Sequence, residues 1–228
     1  MMEDRRFHWL MIRLALQQSI KSMKGVIGMK KGLLTLVCVI SLLMLCTCGK
    51  GAVTEVHLNA EAAADTYTAE DDLYEAARMV ILAEKEESEK NVVEKFGNEA
   101  YHGYTLSKVT VKKIIKNETG QDVAVKESLT VIENQFTYES RNEKKVYHVN
   151  YYNKMTPGNE YILYLDYSAS DKWYYIVTGM QGKIPVADDE ELLCKDIAAD
   201  TAGEQDEGYE DLLSIQTEIR NQAIKRLD

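Results

Sequence analysis

Between residues 104 and 186, apolar side chains recur at every second position in short runs, and turns bearing Gly or Pro separate the runs. A period of two places successive side chains on opposite faces of a pleated strand, so this pattern commits the segment to β-structure. Tyr104 to Lys116 carries Val109, Val111 and Ile115 on one parity, and Asn117 to Asp122 (NETGQD) reads as a turn around Gly120. Asp122 to Glu133 sets Val123, Val125, Leu129 and Val131 on one face, against Ala124, Lys126, Ser128 and Thr130. Asn134 to Lys144 reads as a polar excursion. Lys145 to Tyr152 then alternates Tyr147, Val149 and Tyr151 with His148 and Asn150. The turn Thr156-Pro157-Gly158-Asn159 precedes Glu160 to Tyr167 (EYILYLDY), which is apolar on both faces and is expected to be a central strand. Trp173 to Val177 and Ile184 to Val186 supply two shorter strands.

The flanks carry a different period. Glu70, Asp71 and Asp72 suit the first turn of a helix, where the dipole favours anions. A short helix from Asp71 to Ala77 is expected to feed a strand from Arg78 to Glu86, with Glu87 to Gly103 charged and loop-like. Asp188 to Asp200, holding Leu192, Leu193, Cys194 and Ile197, predicts a short helix. Tyr209 to Leu227 predicts a second, with Leu212, Ile215, Ile219 and Ala223 on one face. Several antiparallel strands at short spacing indicate a small barrel. The expected fold is therefore mainly β: a small antiparallel barrel at 71–187 with a short N-terminal helix, followed by a C-terminal helical appendage at 188–228.

Upstream, Met29 to Cys48 reads MKKGLLTLVCVISLLMLCTC. Lys30 and Lys31 form a positive start and Leu33 to Leu45 an apolar run of about a dozen residues, short of the roughly 20 that span a bilayer. The ending Leu45-Cys46-Thr47-Cys48 resembles the lipobox of bacterial lipoproteins, with Leu45 at −3 and Cys48 as the lipidated residue; Thr47 stands where Gly or Ala is usual. The alternative is an uncleaved signal-anchor helix. On this reading 29–47 is a signal peptide and 48–70 a lipidated cysteine followed by a flexible tether. Residues 1–28 are a basic extension, either a membrane-surface helix or a stretch upstream of the true start at Met29.

The order of stretches ARMVILAE, YTLSKVTVKKIIKN, KMTPGNEYILYLDY and WYYIVTGMQGKIPV, closing on Gln181-Gly182-Lys183, resembles a group of lipoproteins of Gram-positive bacteria with an OB-like β-barrel. The resemblance covers about half the chain and implies an OB-like barrel held at the cell membrane. It brings no catalytic residue.

Charge narrows the partners. Seven of the 27 Lys and Arg and two of the 37 Asp and Glu precede Cys48, so the chain from Cys48 onward holds 20 and 35, a net charge of about −15. Nucleic-acid binding needs clustered cations and is not expected. Cys38 and Cys46 belong to the signal and Cys48 to the lipid, leaving Cys194 as a lone, buried thiol. His57 lies in the tether, and His102 and His148 lack any helical or Glu-x-x-His spacing, so no metal site and no cofactor are expected. Asp188 to Glu191 lacks the alternating oxygens of a calcium loop. There is no phosphate-binding glycine loop and no Gly-x-Ser-x-Gly elbow, and no catalytic residue is singled out.

Nine aromatics fall between Tyr147 and Tyr175. Most are expected in the core. Tyr152, Tyr164 and Trp173 are the candidates for a ligand-binding face. These features predict a membrane-anchored extracytoplasmic binding module without catalysis, held through Cys48, whose partner is a protein, peptide or glycan of the cell envelope. The alternatives are a protease-inhibitor-like barrel, as in tissue inhibitors of metalloproteinases, or a cell-envelope enzyme. The inhibitor mechanism needs a free, disulfide-bonded N-terminal cysteine, which a lipidated Cys48 could not supply.

Overall fold

The computed structural model describes residues 54–227, apart from 98, 140–142, 196 and 198–206. The expected basic extension and signal peptide, and Cys48, lie outside the described residues. Among those described, no helix is long and apolar enough to cross a membrane.

Among the described residues the chain is mainly β, with two helices whose full length is seen. In order it runs β1 (Thr54–Ala60), α1 (Glu70–Ala76), β2 (Met79–Phe96), β3 (Glu99–Asn117), β4 (Ser128–Glu133), β5 (Gln135–Glu139), β6 (Glu143–Val149), β7 (Glu160–Ser168), β8 (Trp173–Ile176), β9 (Lys183–Pro185) and α2 (Glu207–Lys225). Two sheets form. One has the order β1-β6-β5, the other β2-β3-β4-β8-β7-β9, and β2 also pairs with β7.

The six-stranded sheet curls because β2 is irregular. Its register against β3 shifts at four places, from Val80/Ile81 to Glu94/Lys95. Each bulge adds twist and bends the strand. The base of β2, Met79 to Glu84, is thereby paired with β3 on one edge and β7 on the other. The strands are not all antiparallel as expected. β4 runs parallel to β8, and β1 parallel to β6. The β4–β8 seam is two residue pairs long, Val131 with Tyr174 and Ile132 with Tyr175, so the sheet is strongly curled and is not a closed barrel.

The period of two then sorts the core into two layers. Met79, Ile81, Ala83, Val109, Val111, Leu129, Val131, Tyr161, Leu163 and Leu165 fill the inside of the curl. Val80, Ile162, Tyr164 and Ile184 face outward and are covered by Leu73 and Ala77 from the α1 side and by Ile219 and Ala223 of α2. β7 is thus buried on both faces, as its composition predicts. Glu70 ties the helices together: it accepts from Tyr164 Oη at 2.5 Å, from Arg226 Nε at 2.7 Å and from Arg226 Nη2.

Five regions differ from the sequence reading. The segment 87–103 is not a loop but the outer half of a long β2–β3 hairpin that turns at Gly97, where φ is +63°. Its composition is charged because both faces of this ribbon meet solvent, so no apolar alternation marks it. The strand expected from Asp122 starts only at Ser128. Lys126 adopts a φ of +74°, which breaks the extension, and Val125 is 51% exposed instead of facing the core. The tether at 48–70 contains β1, whose Val56 and Leu58 are a two-residue alternation too brief to register. The polar excursion at 134–144 contains β5 and the start of β6. On β6 the parity is reversed: Val146 and His148 are buried, while Tyr147 and Val149 are half-buried. Within the helix expected at 188–200, residues 188–194 form turns and one bridge, Leu193 to Tyr152, Lys195 and Ile197 are helical, and the other positions lie outside the described residues.

Candidate functional site: a strapped cleft over the β4–β8 seam

Where β4 and β8 meet, the sheet is open on its outer side. The irregular segment 61–67 crosses this opening, held by two amide side chains. Asn150 donates from Nδ2 to the Ala62 carbonyl and accepts from the Ala62 N–H, both at 2.9 Å. Gln181, itself buried, donates from Nε2 to the Tyr67 carbonyl at 2.7 Å and accepts from the Tyr67 N–H at 2.8 Å. Each amide matches the donor–acceptor pair of a neighbouring strand, so the segment is strapped down at both ends without belonging to a sheet.

Beneath the strap lies a cleft of about 600 Å³. It is lined by Ile132 and Ile176, by Tyr175 and the turn from Val177 to Gly179, and by Ala62 to Asp65 of the strap. Gly179 has a φ of +76° and sits against the Asn134 side chain, where a Cβ would collide. A second cleft of about 410 Å³ adjoins it, sharing Ala62, Ile132, Asn134 and Val149 and lined further by Tyr104, Phe136 and Tyr147. Phe136 and Tyr147 stack at 4.8 Å between ring centroids. Gly103 opposite them allows the close approach, since a Cβ there would stand 2.5 Å from the Phe136 ring.

The three aromatics singled out from sequence take other places. Tyr152 and Tyr164 are buried. Tyr164 bonds Glu70, as above. Tyr152 donates its hydroxyl to Glu133 Oε2 at 2.9 Å, and the same oxygen accepts from the Met155 N–H at 2.7 Å, while Ser107 donates to Oε1. Burial raises the Glu133 carboxyl above the usual carboxylate range and pushes the Tyr152 phenol well up. Lys183 donates to the Asn153 carbonyl in the same interior, and burial pulls its ammonium down to about 8, against the attraction of Glu133 and Glu190. None of these groups lines either cleft, so this network knits β3, β4, β9 and residues 152–155 together without meeting a ligand. Trp173 is half-buried, its ring centroid 5.7 Å from that of Tyr104, and it lines neither cleft.

The residues that build the cleft carry little local signal. Asn150 and Gln181 act on segments 88 and 114 positions away, and only the Gln181-Gly182-Lys183 stretch stands out in the sequence. Asp65 is the one carboxylate among the residues lining the larger cleft, where Tyr67 and Tyr175 supply phenols. Such a lining can grip a neutral or cationic ligand by apolar and aromatic contact, but it brings no nucleophile and base together.

No protein-family model matches the sequence, and no curated protein matches it either.

Proposed function

We propose that this chain is an extracytoplasmic lipoprotein, anchored through Cys48, whose β domain is an OB-like module binding a protein, peptide or glycan of the cell envelope in the strapped cleft. The observation that carries the reading is the cleft itself: an open cleft of about 600 Å³ with a mixed polar and apolar lining, bounded by Tyr175 and by the strap that Asn150 and Gln181 clamp. Two further features support it. β2 pairs with both β3 and β7, and the six-stranded sheet has its parallel contact at β4–β8, a strand order that supports an OB-like arrangement without a closed barrel. The acidity of the chain beyond Cys48 disfavours nucleic acid, the other common ligand of such sheets.

A photo-crosslinking amino acid at Tyr175 of the full chain, in intact cells, tests the module. The expected result is a discrete envelope adduct that a crosslinker at Phe96, on the exposed hairpin tip, does not give. Equal labelling from both positions, or none from Tyr175, rejects the cleft as the working surface. The anchor is tested separately by fatty-acid labelling: Cys48→Ala should abolish it, and persistent labelling overturns the lipid assignment.

A further inference from the structure

His57, His148 and Cys194 are far apart in sequence, yet each offers a metal-ligating atom and these atoms all lie within 4.8 Å of one another. His57 stands on β1, His148 on β6, and Cys194 just after the bridge that pairs Leu193 with Tyr152. His57 Nδ1 is 2.9 Å from His148 Nε2, and Cys194 Sγ is 3.8 Å from the same Nε2. In a tetrahedron with Zn–N of about 2.0 Å and Zn–S of about 2.3 Å, two nitrogens stand roughly 3.3 Å apart, and a nitrogen and a sulfur roughly 3.5 Å. These two separations fall within about half an ångström of those edges, and His57 Nδ1 and Cys194 Sγ are no more than 4.8 Å apart.

The surroundings orient both rings for this task. His148 Nδ1 donates to the Tyr152 carbonyl at 2.8 Å. A carbonyl only accepts, so this contact puts the proton on Nδ1 and leaves the Nε2 lone pair aimed at His57 and Cys194. On the other side, His57 Nε2 stands 3.6 Å from Glu55 Oε1, and Lys144 Nζ holds the other Glu55 oxygen at 2.9 Å. A carboxylate behind an imidazole favours the tautomer with the proton on Nε2 and Nδ1 as the ligand, and Glu55 is placed to take up that role as the ring swings onto a metal. Without an ion the 2.9 Å contact is an N–H···N hydrogen bond from His57 Nδ1 to His148 Nε2, and ligation requires the His57 proton to move to Nε2, on the side of Glu55.

We propose that His57 Nδ1, His148 Nε2 and Cys194 Sγ form a binding site for a zinc-class divalent transition-metal ion. A thiolate with two imidazoles selects such ions over Mg²⁺ and Ca²⁺, which take oxygen ligands. Binding converts the Cys194 thiol to thiolate and releases its proton to solvent. Three protein ligands leave a fourth position for water or an exogenous group. The ion would fasten β1 and the segment around Cys194 to β6, immediately before the strap that begins at Glu61.

The test uses the full chain, purified in detergent, stripped with a chelator and titrated with Co²⁺ alone. The expected result is one high-affinity Co²⁺ per chain with a near-ultraviolet thiolate-to-cobalt charge-transfer band that Zn²⁺ displaces. Cys194→Ser should remove the band, and His57→Ala should weaken Co²⁺ binding at least tenfold. Glu55→Gln should weaken it by about 10-fold or more, as losses of such supporting carboxylates do. A chain that shows no charge-transfer band, or one whose band survives Cys194→Ser, overturns the proposal. Should Cys194→Ser lose the native circular dichroism, His57→Ala decides alone, since His57 is about a quarter exposed on an edge strand; unchanged affinity in that variant rejects the site.

Discussion

Lys183 holds its ammonium 5.0 Å from the centre of the Tyr152 ring, and neither side chain reaches solvent. The aromatic face and the Asn153 carbonyl replace part of the lost hydration, and Glu133 offers opposite charge nearby. The compensation is incomplete, because burial still brings the ammonium down to about 8 from an ordinary 10.5.

That depression has a definite sign in stability. Between pH 8 and 10.5 the unfolded chain keeps the Lys183 proton and the folded chain gives it up, so folding stability from this group rises with pH in that window. Above about pH 10 the buried tyrosines act the other way, since the unfolded phenols ionise first. Urea denaturation of the full chain at pH 8 and 9.5 should therefore show a gain of about 2 kcal/mol attributable to Lys183. Lys183→Met should lack that gain. An identical pH slope in the two proteins would mean that the ammonium is hydrated in solution.

The β4 strand gives a second expectation and shows what the sequence carries. Leu129 and Val131 share the buried face, and Leu129→Ala should cost about 2 to 4 kcal/mol by denaturant melt. Val125→Ala should stay within about 0.5 kcal/mol, because the side chain is half exposed. A loss at Val125 equal to that at Leu129 would place it in the core after all.

Alternation made β3, β4 from Ser128, β7, β8 and β9 legible, because one or both of their faces are buried and the apolar code is written on them. Val125 shares the parity of Leu129 but sits before the positive φ of Lys126, a backbone event that side-chain periodicity does not encode. The outer hairpin and β1 were illegible for a different reason. Their stability comes from pairing and a few docking contacts, such as the Asn91 amide bonded to the Thr137 N–H and carbonyl at 2.8 Å each, and not from a buried stripe. The cleft was hidden for the same reason, since Asn150 and Gln181 recognise backbone, which has no sequence signature. Tyr152 and Tyr164 read as candidates by their crowding, but each hydroxyl found a buried carboxylate, and a satisfied phenol is a core residue.

Gly103 is where the hairpin meets Phe136. A methyl group there would stand 2.5 Å from the ring and 2.8 Å from the Val92 carbonyl oxygen. Gly103→Ala should destabilise by about 1 to 3 kcal/mol through overpacking. Limited proteolysis should show faster cutting at the 91–103 hairpin than in the unmodified chain, while sites in α2 stay protected. Uniform protection in the variant would show that Phe136 can move aside without loosening the hairpin.

Arg226 supplies the last expectation. Glu70 is 2% exposed, and Arg226 reaches it through two guanidinium nitrogens while its guanidinium stacks on Tyr74, 4.0 Å from the ring centre. Removing the cation leaves the carboxylate with the Tyr164 hydroxyl and little else to offset its charge. Breaking one side of a buried pair is usually worse than never having it, so Arg226→Ala should cost about 2 to 4 kcal/mol. The double change Arg226→Met with Glu70→Gln removes both charges and keeps the packing stem, and it should recover at least half of that loss. If the double variant is as unstable as Arg226→Ala, the contribution of Arg226 lies in its stacking on Tyr74 and not in neutralising Glu70.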